Sequence, residues 1–318
     1  MLKGKNVLVT GGCGFLGSNI IKGLLKLGAN VRATMHQREP LIKDSKIEYL
    51  QCDLLSMDDC QKAVCDMEYV FMAAAFSSGA AVIKESPVKL VTPNTVMNTQ
   101  MLEASYTAGV NKFVFISSSV VYPPSGTSFC KEDEVFSNDP PDIYFAPAWM
   151  KRYGEILCRF YAEKLEKSMS TVVVRPANIY GPFDNFDLKT SHVMAATIRK
   201  IAERQNPINV WGTGEDIRDF IFIDDFIEGL FKATEKINDF NPVNIASGKG
   251  YSIKQILDIL IKLDNFSDAV INFQPSKPSM IPIRLLDTQK AEELLGFKAK
   301  TSIEEGMAAT LEWYNRAT

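Results

Sequence analysis

Three glycines near the start of the chain have the spacing of a phosphate-binding turn. Gly11, Gly14 and Gly17 follow a short apolar run as G-x-x-G-x-x-G, and Ser18–Leu27 continues at helical spacing. The first glycine permits a tight strand-to-helix turn, the second lets the backbone approach a pyrophosphate, and the third lets helix and strand pack closely. Phosphate then binds the free N–H groups of the helix N-terminus. The pattern predicts a dinucleotide-binding turn.

The elements that position this turn are short apolar runs separated by helical patterns. The runs are Asn6–Thr10, Asn30–Met35, Ile47–Cys52, Tyr69–Ala73, Phe113–Ser117, Thr171–Arg175, Asp219–Asp224 and Val243–Ala246. Strands that alternate with helices form parallel sheets with helices on both faces. The predicted fold class is therefore α/β, a Rossmann-type doubly wound parallel sheet.

The strand pattern loosens after residue 180, which indicates a second, smaller region. We predict a dinucleotide-binding domain over residues 1–180, to which residues 219–247 return. Residues 181–218 and 248–318 are predicted to form a smaller α+β substrate-binding lobe. In open α/β sheets a ligand binds outside the carboxyl ends of the strands, so we expect the lobe to cover those ends.

Composition narrows the class of protein. The chain has 318 residues, 46% of them hydrophobic, and a formal net charge of −3, which suits a globular protein with a full core. Its Lys and Arg residues are dispersed, which argues against nucleic acid as a partner. Since the sequence shows neither a signal peptide nor an apolar run long enough to span a bilayer, we expect a cytoplasmic protein without membrane contact. Six scattered cysteines without a C-x-x-C pair predict reduced thiols and no metal site.

Further motifs follow the glycine turn in order along the chain. They are Asp53-Leu54, Ala73-Ala74-Ala75, Ser117-Ser118-Ser119 with Tyr122, Lys151 with Glu155, Arg175–Pro182, Arg218-Asp219-Phe220 and Asp224-Asp225. With these motifs nearly the whole chain resembles the extended short-chain dehydrogenase/reductase family, the NAD-dependent epimerases, dehydratases and reductases of nucleotide sugars. The resemblance implies a nucleotide-sugar substrate and NADP or NAD as cofactor.

A narrower likeness is to the GDP-fucose synthases. It rests on Asp184-Asn185-Phe186, Ser191-His192-Val193, Lys200, and Trp211–Gly214 followed by Arg218. In that group the serine-histidine segment lies beside the sugar, while the tryptophan and the basic residues help hold the nucleotide diphosphate. The likeness therefore implies a GDP-sugar. The substrate-binding residues that it implies are Ser118, Asn178, His192, Lys200, Trp211 and Arg218.

The family resemblance also implies a set of cofactor contacts. They are Gly11, Gly14, Phe15, Leu16, Gly17, His36, Arg38, Asp53, Leu54, Ala73, Ala74, Ala75, Lys151, Pro176 and Asn178. NAD enzymes usually place an acidic residue at the end of the second strand to bind the ribose 2′-hydroxyl, and this chain has Met35-His36-Gln37-Arg38 there. Because arginine pairs well with phosphate, Arg38 or His36 favours the 2′-phosphate of NADP, with NAD as the alternative.

The catalytic unit of the family is a serine with Y-x-x-x-K. Ser118 matches the serine and Lys151 the lysine, but Pro147 stands where the tyrosine belongs. Three explanations stay open. Tyr144 takes the tyrosine's part; or Ser118, His192 or an ordered water carries the proton less efficiently, since a positioned acid or base is worth roughly 10²–10⁴-fold; or the protein binds its ligands without turnover.

A second departure concerns epimerisation. The GDP-fucose synthases resemble two-base epimerases, with a cysteine two positions after the serine and a histidine opposite. This chain keeps His192 but has Val120 at the cysteine position, and valine cannot remove a proton. Unless Cys130 substitutes, paired-base epimerisation at C3 and C5 is expected to be lost or altered.

These observations predict an NAD(P)-dependent oxidoreductase of a nucleotide-linked hexose, a GDP-sugar, with hydride transfer at C4. The alternatives are an epimerase or dehydratase of a UDP- or dTDP-sugar and a non-catalytic sugar-nucleotide-binding homologue. The family resemblance also implies a homodimer through the helix that carries Lys151. On that helix Tyr153, Leu157 and Tyr161 lie at i, i+4 and i+8, which suits a dimer face or a side that faces the core.

Overall fold

A seven-stranded parallel sheet forms the centre of the fold. The computed structural model describes residues 2–76, 88–277 and 281–317. The strands of this sheet are β1 (Asn6–Val9), β2 (Asn30–Met35), β3 (Ile47–Gln51), β4 (Tyr69–Met72), β5 (Lys112–Ile116), β7 (Ser170–Pro176) and β11 (Val243–Ile245). Their order is β11-β7-β5-β4-β1-β2-β3, and each neighbouring pair is parallel. The predicted α/β class is confirmed.

Helices cover both faces of this sheet. They are α1 (Phe15–Leu27), α2 (Met57–Val64), α3 (Val88–Thr107), α4 (Phe145–Glu163) and α6 (Ile223–Lys236). Because successive side chains of a strand point to opposite faces, Val7 and Val9 of β1 pack with α1 and α6, whereas Leu8 packs with α2, α3 and α4. All three side chains are fully buried. The continuous apolar runs of the sequence therefore belong to strands covered on both sides.

Shorter strands build the second region. They are β6 (Phe129–Cys130), β8 (Asn178–Tyr180), β9 (Ile208–Trp211), β10 (Ile217–Phe222), β12 (Gly250–Ser252), β13 (Ile271–Gln274) and β14 (Ile283–Leu286). The order β12-β10-β14-β6 makes a mixed sheet, with β8 also paired to β10, and β13 pairs with β9. Helices α5 (Val193–Ala202), α7 (Ile253–Leu263) and α8 (Ile303–Ala317) pack together beside these strands.

The division between the two regions differs from the prediction at three strands. The run expected to return to the first sheet at Asp219–Asp224 is β10, and it pairs in the second sheet. β6 and β8 also pair there, although both lie within residues 1–180. A short apolar run reports burial and not pairing partner, so sequence alone could not distinguish the two sheets. The return to the first sheet is made by α6 and β11.

The cysteines of this chain form no disulfide bond with one another. All six cysteines are free, and five of them are buried while Cys65 is exposed. Burial raises the pKa of Cys60 to about 12 and that of Cys52 to about 11, which keeps both thiols protonated and unreactive at neutral pH. In the described ranges, no helix has the length and apolar character needed to cross a membrane, and no group of three His, Cys, Asp or Glu is arranged to hold a metal ion.

Candidate active site

The glycine turn is held by contacts that exclude a side chain. Gly11 has a φ of +65°, and a Cβ there would lie 2.8 Å from the Cα of Ala74. A Cβ at Gly17 would lie 2.2 Å from the Gly11 carbonyl oxygen. Ala73 and Ala74 both donate their backbone N–H to Thr10 Oγ1, at 3.1 and 2.9 Å. The turn and the end of β4 therefore form one closely packed unit.

The N-terminus of α1 is open to an anion. The helix begins at Phe15 after the extended Gly14, and in the described structure no side chain caps it and no acidic residue lies in its first turn. The nearest neighbour of a Cβ at Gly14 would be the Gly11 oxygen at 3.4 Å, an ordinary contact distance. The N–H groups of this turn, including those of Phe15 and Leu16, lack intrahelical acceptors, and the dipole favours an anion. These residues fit the pyrophosphate of a dinucleotide.

Charged groups of both signs lie beyond the end of β2. His36 and Arg38 are exposed there, as is Glu39. Burial raises the pKa of the Cys13 thiol in the glycine turn, the Glu39 charge raises it further and the Arg38 charge lowers it. Both charges therefore lie near the turn. Glu39 is a carboxylate that the sequence interpretation missed, because it falls one residue past the stretch Met35–Arg38.

The predicted adenine contacts follow β3. Leu54 is buried, whereas Asp53 is exposed at the end of the strand. Asp53 Oδ1 accepts the N–H of Leu55 at 3.0 Å, and the Asp53 N–H donates to Asp59 Oδ2 at 2.9 Å. These bonds close the turn into α2 and hold the Asp53 carboxylate at the open edge of the sheet.

Ser118 and Lys151 are both held at the carboxyl end of β5. Ser118 begins a 3₁₀ turn, and its Oγ accepts the N–H of Val120 at 3.3 Å. Lys151, on α4, donates from Nζ to the carbonyl oxygen of Ile116 at 2.8 Å. Burial lowers the pKa of Lys151 to about 8, although solvent still reaches part of the residue. The structure thus places the Lys151 amine and Ser118 at the same end of β5. With a pKa of about 8, the amine can gain or lose a proton near neutral pH.

Pro147 lies in the first turn of α4, where a missing backbone N–H costs the helix nothing. Tyr144 immediately precedes that helix. Burial raises the pKa of the Tyr144 hydroxyl, the charges of Arg218 and Arg284 lower it, and the charge of Asp216 raises it. These three charged residues belong to the second region. Tyr144 therefore lies among the charges of that region.

Two further predicted residues lie where the regions meet. Pro176 ends β7 and is buried, and Asn178 begins β8, donating from Nδ2 to the Asp219 carbonyl oxygen at 2.9 Å. His192 immediately precedes α5. Solvent reaches its imidazole, yet surrounding protein desolvates it and lowers its pKa. A side chain that is accessible but desolvated lines a cleft, and its imidazole is mostly neutral at neutral pH.

Basic and aromatic side chains line the second region. Lys200 donates from Nζ to the Asn209 carbonyl oxygen at 2.7 Å, and the Trp211 ring is 47% exposed. Lys277, which the sequence interpretation missed, has its Nζ 5.9 Å from the centre of that ring. Arg218 donates from Nη1 to the preceding carbonyl oxygen at 2.9 Å. Burial lowers the pKa of both Lys200 and Arg218, which indicates cations held away from bulk water.

Arg284 and Asp184 are further charged residues that the sequence interpretation did not assign. Arg284 is 4% exposed and donates to the carbonyl oxygens of Pro123 and Tyr122 at 3.0 and 3.2 Å. Its charge also acts on Arg218, and within the described residues its Nε has no hydrogen-bond partner. Desolvation raises the pKa of Asp184 to about 7. Arg284 lies far from Arg218 in the sequence and belongs to no recognisable motif. Its proximity to Arg218 could therefore be recognised only from the folded structure.

The predicted site residues therefore form two groups. One lies at the carboxyl ends of β1, β4 and β5 and contains the glycine turn, Ser118 and Lys151. The other lies in the second region and contains Lys200, Trp211 and Arg218. Tyr144 and Asn178 link them, the first through the charge of Arg218 and the second through its hydrogen bond to Asp219.

The fold and the glycine turn define a dinucleotide-binding enzyme of the short-chain dehydrogenase/reductase type. A model of the NAD dependent epimerase/dehydratase family matches residues 7–246, and the chain belongs to that family. The family and the nicotinamide cofactor expected from the motifs are thereby confirmed. The chain is an enzyme of the nucleotide-sugar epimerase and reductase kind.

Individual relatives carry different nucleotides. The chain is 29% identical to the probable GDP-L-fucose synthase 1 of Oryza sativa subsp. japonica, over 98% of this chain and 92% of that protein. It is 27% identical to the dTDP-4-dehydro-6-deoxy-D-allose reductase of a Streptomyces species, over 98% and 96%. The crystal structure of the Thermotoga maritima UDP-glucose 4-epimerase with UDP-glucose matches at a TM-score of 0.87 and 27% identity, over 98% and 99%.

Proposed function

We propose that this protein is an NAD(P)-dependent oxidoreductase of a nucleotide-linked hexose, a GDP-sugar, with hydride transfer at C4 of the sugar. One observation carries the proposal: Ser118 and Lys151 lie together at the end of β5, while Tyr144 before α4 lies among second-region charges. A sugar between the two groups would have its ring near the serine and the amine, and its diphosphate near the cations. The likeness to the GDP-fucose synthases favours guanine as the base.

Each residue has a distinct part in this proposal. The nicotinamide cofactor supplies or accepts the hydride. Lys151 holds the nicotinamide ribose, and the Ser118 hydroxyl orients the sugar oxygen. Arg218 and Lys200 bind the diphosphate. Arg284, which lies near Tyr144 as Arg218 does, adds a further positive charge. Trp211 offers an exposed ring on which the nucleotide can stack.

The proton carrier is the step that Pro147 leaves open. Tyr144 and His192 are the two candidate side chains, and a water held by Ser118 is the third candidate. The position of Tyr144 among the Arg218 and Arg284 charges supports a part in holding the diphosphate. Comparison of Tyr144→Phe with His192→Gln separates the roles, because loss of a proton carrier lowers kcat and loss of a phosphate ligand raises KM.

The test of the proposed function follows the absorbance of reduced nicotinamide. Purified, cofactor-loaded protein is mixed with GDP-, UDP- and dTDP-hexoses and their 4-keto forms. Turnover with GDP-sugars that is weakened by Ser118→Ala supports the proposal. A preference for UDP- or dTDP-sugars would instead support the epimerase or dehydratase alternative. Thermal stabilisation by a sugar without any turnover would support a non-catalytic binding homologue, the reading that Pro147 favours.

The choice between NADP and NAD depends on the residues beyond β2. Arg38 favours NADP because it can pair with the 2′-phosphate, whereas Glu39 can accept a hydrogen bond from the 2′-hydroxyl of NAD. Both charges act on Cys13 in the glycine turn. We propose NADP. Arg38→Ala should weaken NADP binding more than NAD binding, and a selective loss of NAD binding in Glu39→Gln would reverse that preference.

We propose a homodimer formed through α4, acting in the cytoplasm where nucleotide sugars and nicotinamide cofactors are dissolved. Leu157 and Tyr161 pack against the core. The exposed apolar side chains of the helix are Phe145, Trp149, Tyr153, Ile156 and Phe160. A row of this kind is typical of a helix packed on a partner. Light scattering should give two copies for the native chain and for Lys164→Ala, but one copy for Ile156→Lys.

A further inference from the structure

A buried ionic network lies directly beneath Ser118 and Lys151. Glu155 on α4 is fully buried, and both of its oxygens are occupied. Oε1 accepts the Ser117 hydroxyl and the Arg175 Nε, the latter at 3.0 Å. Oε2 accepts the Arg175 Nη2 at 2.7 Å. The arginine and the carboxylate therefore make a two-pronged pair, which is the strong geometry for such groups.

The network continues from Arg175 into a third strand. Arg175 Nη1 donates to the Tyr122 hydroxyl at 3.1 Å and to the Glu132 carbonyl oxygen at 2.8 Å. The Tyr122 hydroxyl in turn donates to Asn244 Oδ1 at 2.6 Å. These contacts join α4 to the carboxyl ends of β5, β7 and β11. The network thus connects α4, which carries Lys151, with the end of β5, which Ser118 follows.

Glu155 and Lys151 lie one helical turn apart on α4 and hold consecutive residues of the β5 end. Lys151 donates to the carbonyl oxygen of Ile116, and Glu155 accepts the hydroxyl of Ser117. Ser118 is the next residue. The distance between the proposed catalytic serine and lysine is therefore set by two side-chain contacts between α4 and the strand end.

Glu155 is also the carboxylate that the buried cations around it share. Its charge acts on Lys151 and Arg152, on the same helix, and on Arg175, on β7. The other ionisable groups that feel it are the Cys158 thiol and the Tyr122 hydroxyl. The charge of Cys158 also acts on Lys151. Without this carboxylate, Arg175 would lose the partner of its buried ion pair, and the repulsion between Arg175 and Arg152 would be less well balanced.

We propose that Glu155 is a positioning residue for catalysis, whose buried carboxylate fixes the junction of α4 with the β5 end and supplies the negative charge that faces the Lys151 ammonium. The inference rests on the proposed function in one respect, namely that Lys151 acts on the cofactor or the substrate. The role of Glu155 in holding the charge of Lys151 can be tested without a substrate.

The test measures the pH at which Lys151 becomes reactive toward acetic anhydride, read by mass spectrometry of the Lys151 peptide. Because Glu155→Gln leaves Arg175 without its partner, that variant is paired with Glu155→Gln/Arg175→Met, which removes the stranded charge. Ser117→Ala is the matched control, since it removes one hydrogen bond and leaves the carboxylate. Circular dichroism verifies that each variant is folded.

Loss of the negative charge should make the Lys151 amine lose its proton more easily. We expect the reactivity midpoint of a folded Glu155 variant to move to lower pH by about one unit, a tenfold change in the proton equilibrium, and that of Ser117→Ala to stay. In the folded Glu155 variants, kcat should fall with little change in KM. An unchanged midpoint in a folded variant overturns the proposal. If neither Glu155 variant folds, the carboxylate is a structural group and the proposal is likewise wrong. Absence of turnover in the native chain would refute the proposed function but leave the midpoint measurement valid.

Discussion

The two halves of the candidate site differ in the atoms that form their surfaces. In the cofactor half, backbone atoms form the binding surface, and a Cβ at Gly17 would lie 2.2 Å from a carbonyl oxygen. In the second region, long side chains form it, and Lys200 and Arg218 are each held by main-chain oxygens. A backbone surface tolerates almost no substitution, whereas a cationic surface can change one side chain at a time. The relatives are named for GDP-, dTDP- and UDP-sugars, and the contrast predicts that such differences arise in the second region and not in the cofactor half.

Lys151 lies at the boundary of the two halves, and its substitution should have the largest effect on turnover. Lys151→Ala removes the amine that donates to Ile116 and that we place beside the ribose and the sugar. We expect turnover to fall by roughly 10²-fold, because a misplacement of the reacting groups by about 1 Å costs that much, with the melting temperature little changed. Steady-state kinetics with the best sugar would measure it. Lys164→Ala, an exposed lysine beyond the end of the same helix, is the control, and a loss below tenfold at Lys151 would contradict the assignment.

Gly17 and Gly14 separate packing from binding within the cofactor half. Gly17→Ala forces a Cβ against the Gly11 oxygen, and overpacking of this kind costs about 1–3 kcal/mol. At Gly14 a Cβ would meet that oxygen at 3.4 Å, so Gly14→Ala should fold normally yet block the approach of the pyrophosphate. Thermal melting with and without NAD(P) distinguishes the two. If Gly14→Ala retained the full stabilisation by cofactor, the pyrophosphate would not bind at this turn.

Much of the cofactor half could be predicted because its determinants are local. Gly11, Gly14 and Gly17 lie within seven consecutive residues, and the buried strands appear as continuous apolar runs. The exception is β10, whose run is as apolar as those of the first sheet but whose partners are β8, β12 and β14. Pairing depends on residues far along the chain, and an apolar run does not report it.

The second region was less predictable for the same physical reason. Arg284 lies 66 positions after Arg218 in sequence, and only folding brings the two charges within reach of Tyr144. Lys277 comes near Trp211 through the pairing of β13 with β9. A single cation has no periodicity, so a sequence pattern cannot distinguish it from a solvated side chain. Resemblance to a family identified Arg218 and Trp211 but not their neighbours.

Trp211 tests whether the second region is a surface of separable side chains. Because 47% of this residue is exposed, Trp211→Ala should leave the free energy of unfolding unchanged. Loss of base stacking should weaken nucleotide-sugar binding by about 0.5–1.5 kcal/mol, or roughly 2–10-fold. Trp211→Phe, which keeps a ring, is the matched variant. Calorimetric titration with GDP-sugar measures both, and equal affinity in all three proteins would exclude stacking on this ring.

The smallest effect concerns Asp184, in the loop between β8 and α5. Desolvation raises its pKa to about 7 in the folded chain, against about 3.9 in an unfolded one. Between these values the folded state binds a proton that the unfolded state does not, so this residue makes stability fall as pH rises from 4 to 7. Asp184→Asn should flatten that part of the stability profile.

Urea unfolding at pH 5 and pH 8 measures the slope for the native chain and for Asp184→Asn. Since solvent reaches part of this residue, the change in the free energy of unfolding between the two pH values should differ between the two proteins by less than about 1 kcal/mol. Asp258→Asn, at an exposed position on α7, controls for the loss of one surface charge. Parallel profiles for the native chain and Asp184→Asn would mean that this carboxyl is well solvated. Asp219 of β10, which is 1% exposed, would remain a buried acid of the second region, and the chemistry that we propose there would rest on its cations and on His192.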